Sequence, residues 1–268
     1  MYNGKSVIPA LKCPLHKYTE WPGSNRKRRK VTGMDKSEKR QENNSENNNK
    51  TDDKVCLIIS GGRPVCPEGL AADYVIACDS GLDNADRYRI VPDLVVGDFD
   101  SVSSGNLKKI EEEGNGREND AQRINYMRYP KEKDDTDTMI AVKHALKMGF
   151  LHIKIICALG GRADHSTANI QAAHFAANRG AVVEIIDENS SYTVFRDREM
   201  IFDRKEGYYL SVFSLSDKSS KVSIRGTKYE VRDCEFTNDF PLGVSNEFVN
   251  EKAAVSVKDG CLMVIIAS

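Results

Sequence analysis

From Val55 onward the chain alternates short apolar runs with clusters of small, turn-forming residues. Val55-Cys56-Leu57-Ile58-Ile59 ends in Ser60-Gly61-Gly62-Arg63, and Tyr74-Val75-Ile76-Ala77-Cys78 ends in Asp79-Ser80-Gly81. Leu94-Val95-Val96 ends at Gly97, and Ile153 to Leu159 ends in Gly160-Gly161-Arg162. Unbroken apolar runs of this length predict strands buried on both faces, as in a parallel sheet. Between them, Thr138 to Met148 places Ile140, Ala141, Ala145 and Met148 near helical spacing with Gly149 as the stop, and Ser166 to Arg179 predicts a small-residue helix ended by Gly180. The polar stretch from Ser103 to Arg128 predicts helix plus loop, and Val182 to Ile186 closes the series. Strands alternating with helices mean βαβ units, hence an α/β fold with an open, mainly parallel sheet and helices on both faces.

Beyond about Phe195 the period shortens. Tyr208 to Leu215, Lys221 to Ile224, Lys228 to Val231, Ala253 to Val257 and Cys261 to Ala267 predict strands, split by turns such as Asp217-Lys218-Ser219 and Lys258-Asp259-Gly260. This end predicts a smaller antiparallel β-sandwich domain. At the other end, Arg26-Lys27-Arg28-Arg29-Lys30 and the Asn-rich run from Gln41 to Lys50 have no apolar period, and such a segment buries too little surface to offset chain entropy. The expected division is a disordered basic and Asn-rich tail over 1–53, an α/β catalytic domain over 54–195 and the β-sandwich over 196–268.

Charge sharpens this division. Residues 1–50 hold 12 Lys and Arg against 5 Asp and Glu, a net +7, so in a chain of net −1 the remainder carries −8. A mildly acidic body lacks the positive surface of a general nucleic-acid binder, and no nucleic-acid partner is expected for it. The seven cysteines are scattered, without the spacing of a zinc site, and point to a reducing, cytoplasmic setting. No run reaches the length of a membrane span and the start of the chain has no secretory apolar core, so no membrane partner is expected.

In a parallel sheet the carboxyl ends of the strands share one edge, where open α/β sheets bind ligands. Arg63, Asp79, Asp98 with Asp100, Lys133 to Asp137, and Arg162 to His165 all fall at strand ends or helix starts and so converge there. Four carboxylates in one cleft, Asp79, Asp98, Asp100 and Asp137, repel by on the order of 4 kcal/mol per pair at about 4 Å and an effective dielectric near 20. Hard cations relieve this repulsion, and Mg²⁺ held by carboxylates commonly shares its coordination with phosphates. With Lys133 as a point charge and Arg63 and Arg162 at the same edge, the cleft reads as a polyphosphate clamp. Thr136 serves either as a helix cap or as a ligand contact, and His165 beside Asp164 reads as a nucleotide-binding group. The chain has no Gly-x-x-x-x-Gly-Lys-Ser/Thr loop, no Gly-x-Gly-x-x-Gly loop and no nucleophile elbow, which excludes P-loop enzymes, the usual dinucleotide enzymes and serine hydrolases.

Four ordered motifs carry a resemblance. Asp79-Ser80-Gly81, Gly97-Asp98-Phe99-Asp100-Ser101, Lys133-Asp134-Asp135-Thr136-Asp137 and Gly160-Gly161-Arg162-Ala163-Asp164-His165, followed by Gly243-Val244-Ser245-Asn246, resemble the thiamine pyrophosphokinase family over about Val55 to Ser268. The resemblance implies a homodimer that transfers the terminal diphosphate of ATP to the hydroxyl of thiamine, giving thiamine diphosphate and AMP, with Mg²⁺ as cofactor. It implies Asp79, Asp98, Asp100 and Asp137 as metal and diphosphate-handling carboxylates, the last three catalytic. It places Lys133, Asp134, Thr136, Arg162, Asp164 and His165, together with Arg63, at ATP, and Ser245 and Asn246 at thiamine, where two subunits meet. The tail has no counterpart in the family, and the polar stretch around Asn106 to Tyr126 is longer than usual. Some members stack thiamine on a tryptophan of the β-domain, but Trp21 in the tail is the only Trp here, so the stacking partner is a Phe or Tyr. The hydroxyl proton goes to Asp98 or Asp100 unless metal occupies both. Alternatives are a pyrophosphokinase for a hydroxymethylpterin, a non-catalytic binder of thiamine diphosphate or nucleotide, and a Mg²⁺-dependent phosphohydrolase.

Overall fold

The structure, a computed structural model, describes residues 54–65, 70–106, 124–130, 132 and 134–268. The tail expected over 1–53, Lys133 and most of the long polar stretch lie outside them.

Six strands form the parallel part: β1 (Val55–Ile59), β2 (Tyr74–Cys78), β3 (Leu94–Gly97), β4 (Asn125–Arg128), β5 (His152–Ile156) and β6 (Val182–Ile186). Among the described residues the helices α1 (Gly81–Arg87), α2 (Asp137–Lys147) and α3 (Ala163–Ala177) accompany them. The strands lie in the order β4-β3-β2-β1-β5-β6. The chain steps outward from β1 to β4, then returns through α2 to the other side of β1. That reversal between β1 and β5 is a topological switch point, which opens a crevice at the carboxyl edge.

The unbroken apolar runs are explained by burial on both faces. Cys56, Ile58, Ile76 and Val96 pack with Ile140, Ala141 and Ala145 of α2 and Ala172, Ala173 and Ala176 of α3. Leu57 and Ile59 turn the other way, toward Ala85 of α1, and Ala77 and Val95 pack with Leu82. Alanines along both long helices let their backbones approach the sheet closely, while each buried Ile or Leu contributes roughly 1.5–3 kcal/mol.

The sheet does not end at β6. β7 (Ser190–Arg196) reverses from β6 and pairs with it antiparallel. β8 (Glu199–Asp203), β9 (Tyr209–Ser214), β10 (Lys218–Arg225), β11 (Val231–Thr237), β12 (Gly243–Glu247), β13 (Lys252–Ser256) and β14 (Cys261–Ala267) follow. β14, β9 and β12 extend the large sheet to ten strands, and β11-β10-β13-β8 form a second, four-stranded sheet. Phe195, Phe202, Leu210, Val222, Ile224 and Leu262 fill the core between the two sheets. The expected fold class, a mainly parallel sheet with helices followed by an antiparallel strand-rich domain, is the one observed.

Local departures have physical causes. Asn125–Arg128 is a strand rather than helix or loop: it is an edge strand with a half-exposed pattern, so Tyr126 and Met127 suffice to seat it beside β3. Lys228 to Val231 is not a strand of its own. The strand begins at Val231, and residues 228–230 form a loop held by Asn246. Lys218 and Ser219 already belong to β10 rather than to a turn. Among the described residues no helix is long and apolar enough to cross a membrane.

Candidate active site

Each strand at the switch point ends in a loop whose backbone is fixed by its neighbours. After β1, Ser60 and Gly62 donate to the carbonyls of Ile156 and Cys157 at 3.0 and 2.7 Å, and the Arg63 amide donates to Leu159 at 3.0 Å. A Cβ on Gly62 would sit 2.6 Å from the Cys157 carbonyl, so the approach requires glycine. Buried Asn84 donates to the Ser60 and Gly62 carbonyls at 3.1 and 3.3 Å, and Ser60 shares a 3.0 Å hydroxyl contact with Thr138. Arg63 lies over Gly160, which has a φ of +73°, and its Nη2 donates to Asp187 Oδ2 at 2.6 Å. The Arg63 side chain remains 46% exposed, against 14% for Asp187, so the guanidinium has donors left for a ligand. Asp187 has no local signature, since its partner lies 124 positions away.

Asp79 follows β2 in the left-handed region at φ 46°, a conformation that Asp tolerates better than most residues. Its amide donates to Val96 at 2.8 Å, tying the turn to β3. After β3, Phe99 adopts φ 65° and is buried edge-on against Tyr126, with the Arg128 guanidinium 5.5 Å from its ring centre. An aromatic residue at positive φ is strained, and the inward plug holds it there. The same turn sends the flanking carboxylates the other way. Asp79, Asp98 and Asp100 each bring an oxygen within 4.8 Å of the others. Asp98 Oδ1 accepts from the Asp100 amide at 3.2 Å, and Asp100 Oδ1 accepts from Ser101 at 2.8 Å.

Asp79 carries the electrostatic stress of this cluster. Burial, then the charges of Asp137 and Asp98, push its carboxyl above the usual carboxylate range, against hydrogen bonds from the Ser80 amide and the Ser101 hydroxyl. Its Oδ1 is buried and, among the described residues, has no hydrogen-bond partner. Three convergent carboxylates, one with an orphaned oxygen, are a donor set for a hard, oxygen-seeking divalent cation. Asp137 opens α2 and acts on Asp79 through its charge but lies outside the three-oxygen group.

The remaining expected residues sort into groups. Thr136 caps α2, its hydroxyl accepting from the Met139 amide at 3.2 Å. Asp134 is exposed nearby. Arg162 and Asp164 form a two-point pair at 3.1 and 2.6 Å in front of α3, and the His165 amide donates to the same carboxylate at 3.0 Å. The pair holds the Asp164 carboxyl below its usual range and the guanidinium above its own. Its side chains are 73% and 64% exposed, so a phosphate could replace Asp164 at little cost.

Ser245 and Asn246 lie elsewhere. β12 is seven strand spacings from β2 in the ten-stranded sheet, on the order of 30 Å at about 4.8 Å per strand. Buried Asn246 is saturated internally: Oδ1 accepts from the Tyr229 and Glu247 amides, and Nδ2 donates to Thr227 Oγ1 and the Tyr229 carbonyl. Exposed Ser245 receives its anchoring through its amide, which donates to Ser211 Oγ. A groove of about 850 Å³ lies on the second sheet between Arg198, Lys221, Arg225 and Arg232, far from the carboxylates, and has no orphaned buried group.

The family model for the thiamin pyrophosphokinase catalytic domain matches residues 70–185, and that for the thiamin pyrophosphokinase vitamin B1 binding domain matches 198–262, together about two-thirds of the chain. The chain belongs to the thiamine pyrophosphokinase family. Thiamine pyrophosphokinase of Bacillus subtilis (strain 168) is 28% identical over 222 residues, 79% of this chain and 98% of that protein. The crystal structure of the Bacillus subtilis thiamine pyrophosphokinase is similar with a TM-score of 0.70 at 26% identity, over 80% of this chain and 99% of that one. A family protein from Enterococcus faecalis gives 0.66 at 28% identity, with the same two coverages. The enzyme from Candida albicans, 16% identical, shares the fold with a TM-score of 0.64 over 80% and 89% of the two chains.

Proposed function

We propose that the protein transfers the terminal diphosphate of ATP to the hydroxyl of thiamine, releasing AMP, with Mg²⁺ held by Asp79, Asp98 and Asp100. The observation that carries this reading is the trio itself, three carboxylates with an orphaned buried oxygen at the switch-point edge of a chain in this family. When bound, the ion neutralises phosphate oxygens and supports the charge that develops on them in transfer. Arg63, set by Asp187, and Arg162, released from Asp164, grip phosphate oxygens, with Lys133 adding a third cation. Asp134, Thr136, Asp164 and His165 line the nucleotide side, and Asp137 faces the diphosphate. The thiamine oxygen attacks the β-phosphorus in line. The bond from that phosphorus to the oxygen bridging to the α-phosphate breaks, and AMP leaves with that oxygen. With Asp98 and Asp100 both engaged as metal ligands, the hydroxyl proton passes to water.

The distance between β12 and the carboxylates supports a homodimer in which Ser245 and Asn246 serve the partner's cleft. Exposed Tyr209, Tyr229, Phe240, Leu242, Val244 and Val249 gather around β12, an apolar surface of the kind that subunit contacts cover. Within it, Tyr229 is 62% exposed while Asn246 clasps its peptide on both sides, which favours Tyr229 as the aromatic face for thiamine, with Asn246 as its positioning residue. Among the described residues Cys56, Cys78, Cys157, Cys234 and Cys261 carry thiols rather than disulfides, in keeping with a cytoplasmic setting. The test is AMP formation from ATP and Mg²⁺ with thiamine or a hydroxymethylpterin as acceptor. Thiamine alone should support it. AMP with the pterin only, binding without AMP, or release of inorganic phosphate would each overturn the assignment.

A further inference from the structure

We infer that Asp83 is a positioning residue that sets the spacing of the three metal-binding carboxylates. This rests on the reading of Asp79, Asp98 and Asp100 as a Mg²⁺ site. Asp83 lies in α1, four residues after Asp79, and none of the expected functions uses it. Its carboxylate takes three hydrogen bonds from the far limb of the loop that carries Asp98 and Asp100. Oδ2 accepts from the Ser103 amide at 3.0 Å, and Oδ1 accepts from Ser103 Oγ and from Asn106 Nδ2, both at 2.7 Å. Asn106 is buried although polar, as expected of a side chain whose partner is fixed. Phe99 and Val102 of the same loop pack against Leu82, the residue next to Asp83.

The loop is therefore pinned to α1 by an apolar plug and by one carboxylate. Asp79 leads directly into α1, so Asp83 ties one wall of the site to the other. Without it, Asp98 and Asp100 retain the plug but lose the polar latch just beyond Ser101. Repulsion within the trio then has a free limb on which to act, and the carboxylates spread when no cation is present. Groups that orient metal ligands in this way typically change metal affinity by about 10–100-fold.

The experiment is a MgCl₂ titration without nucleotide, read as the rise in melting temperature, on wild type, Asp83→Ala and Ser103→Ala. Wild type should respond, Asp83→Ala should need about tenfold more Mg²⁺ for the half-maximal rise, and Ser103→Ala, which loses one bond, should shift less. In the transfer reaction, Asp83→Ala should raise the Mg²⁺ requirement while kcat at saturating Mg²⁺ stays within about twofold of wild type. A folded Asp83→Ala with an unchanged Mg²⁺ midpoint overturns the inference while leaving the metal site standing. If Asp83→Ala does not fold, an unshifted midpoint in Ser103→Ala has the same force. No Mg²⁺ response in wild type overturns the metal reading itself.

Discussion

Replacing Asp79 by Asn should stabilise the metal-free protein while abolishing its function. The substitution keeps the shape of the side chain, and Asn tolerates the left-handed backbone at φ 46° as well as Asp does. It removes a charge that burial and two neighbouring carboxylates oppose. Two unit charges 4.8 Å apart, the upper limit within the trio, repel by about 3 kcal/mol at an effective dielectric near 20. Asp98 and Asp137 are both only partly buried, so screening reduces the gain to about 1–2 kcal/mol. For a folded region of this size that is a rise of about 3–6 °C in melting temperature. Differential scanning calorimetry in EDTA should show that rise, and adding Mg²⁺ should close the gap by stabilising wild type alone. AMP formation should fall by at least about 100-fold, as expected when electrostatic stabilisation of a transferring phosphoryl group is lost. An Asp79→Asn protein that is less stable in EDTA, still responds to Mg²⁺ and still turns over would refute the reasoning.

Acidification tests the same carboxylate from the other side. Its folded-state pKa is raised, so the folded protein holds the Asp79 proton more tightly than the unfolded chain. As pH falls through that raised value toward the ordinary Asp range near about 3.9, stability in EDTA should gain from this group, and the Mg²⁺-induced rise in melting temperature should shrink. Tyr229→Ala should raise the KM for thiamine by about 3–30-fold, the range of a cation over an aromatic face, while Tyr229→Phe stays within about twofold. Asp187→Asn should raise the KM for ATP several-fold with little change in kcat, because Arg63 loses its anchor but keeps its charge. Thiol titration of the native protein at pH 8 should spare Cys56 and Cys261, which burial pushes up to about 12, and modify half-exposed Cys234.

The parallel half of the fold was legible because strands buried on both faces must be apolar throughout, and small residues after each strand marked the loops that crowd together at one edge. Asp79, Asp98 and Asp100 could be grouped from topology alone. What their spacing did not contain was the orphaned oxygen on Asp79, which depends on how the folded chain buries that carboxylate. β4, β8, β11 and β12 were illegible for a common reason: they are edge strands, where half the side chains face water and the apolar pattern thins. Asn246 is placed at thiamine by the family resemblance alone; that its four side-chain bonds all go to its own chain, so that it holds Tyr229 in place, is visible only in the fold. Asp187 and Asp83 were missed because their partners are distant in sequence, and no local pattern marks a residue whose purpose is to hold another.

The most direct measurement follows the phosphorus atoms of ATP. With Mg²⁺, thiamine and ATP labelled separately at the α- and γ-positions, the α-label should appear in AMP and the γ-label in thiamine diphosphate, in equal amounts, and both should vanish in Asp100→Asn. Label recovered in ADP or inorganic phosphate, or undiminished transfer by Asp100→Asn, would contradict diphosphate transfer at this edge of the sheet.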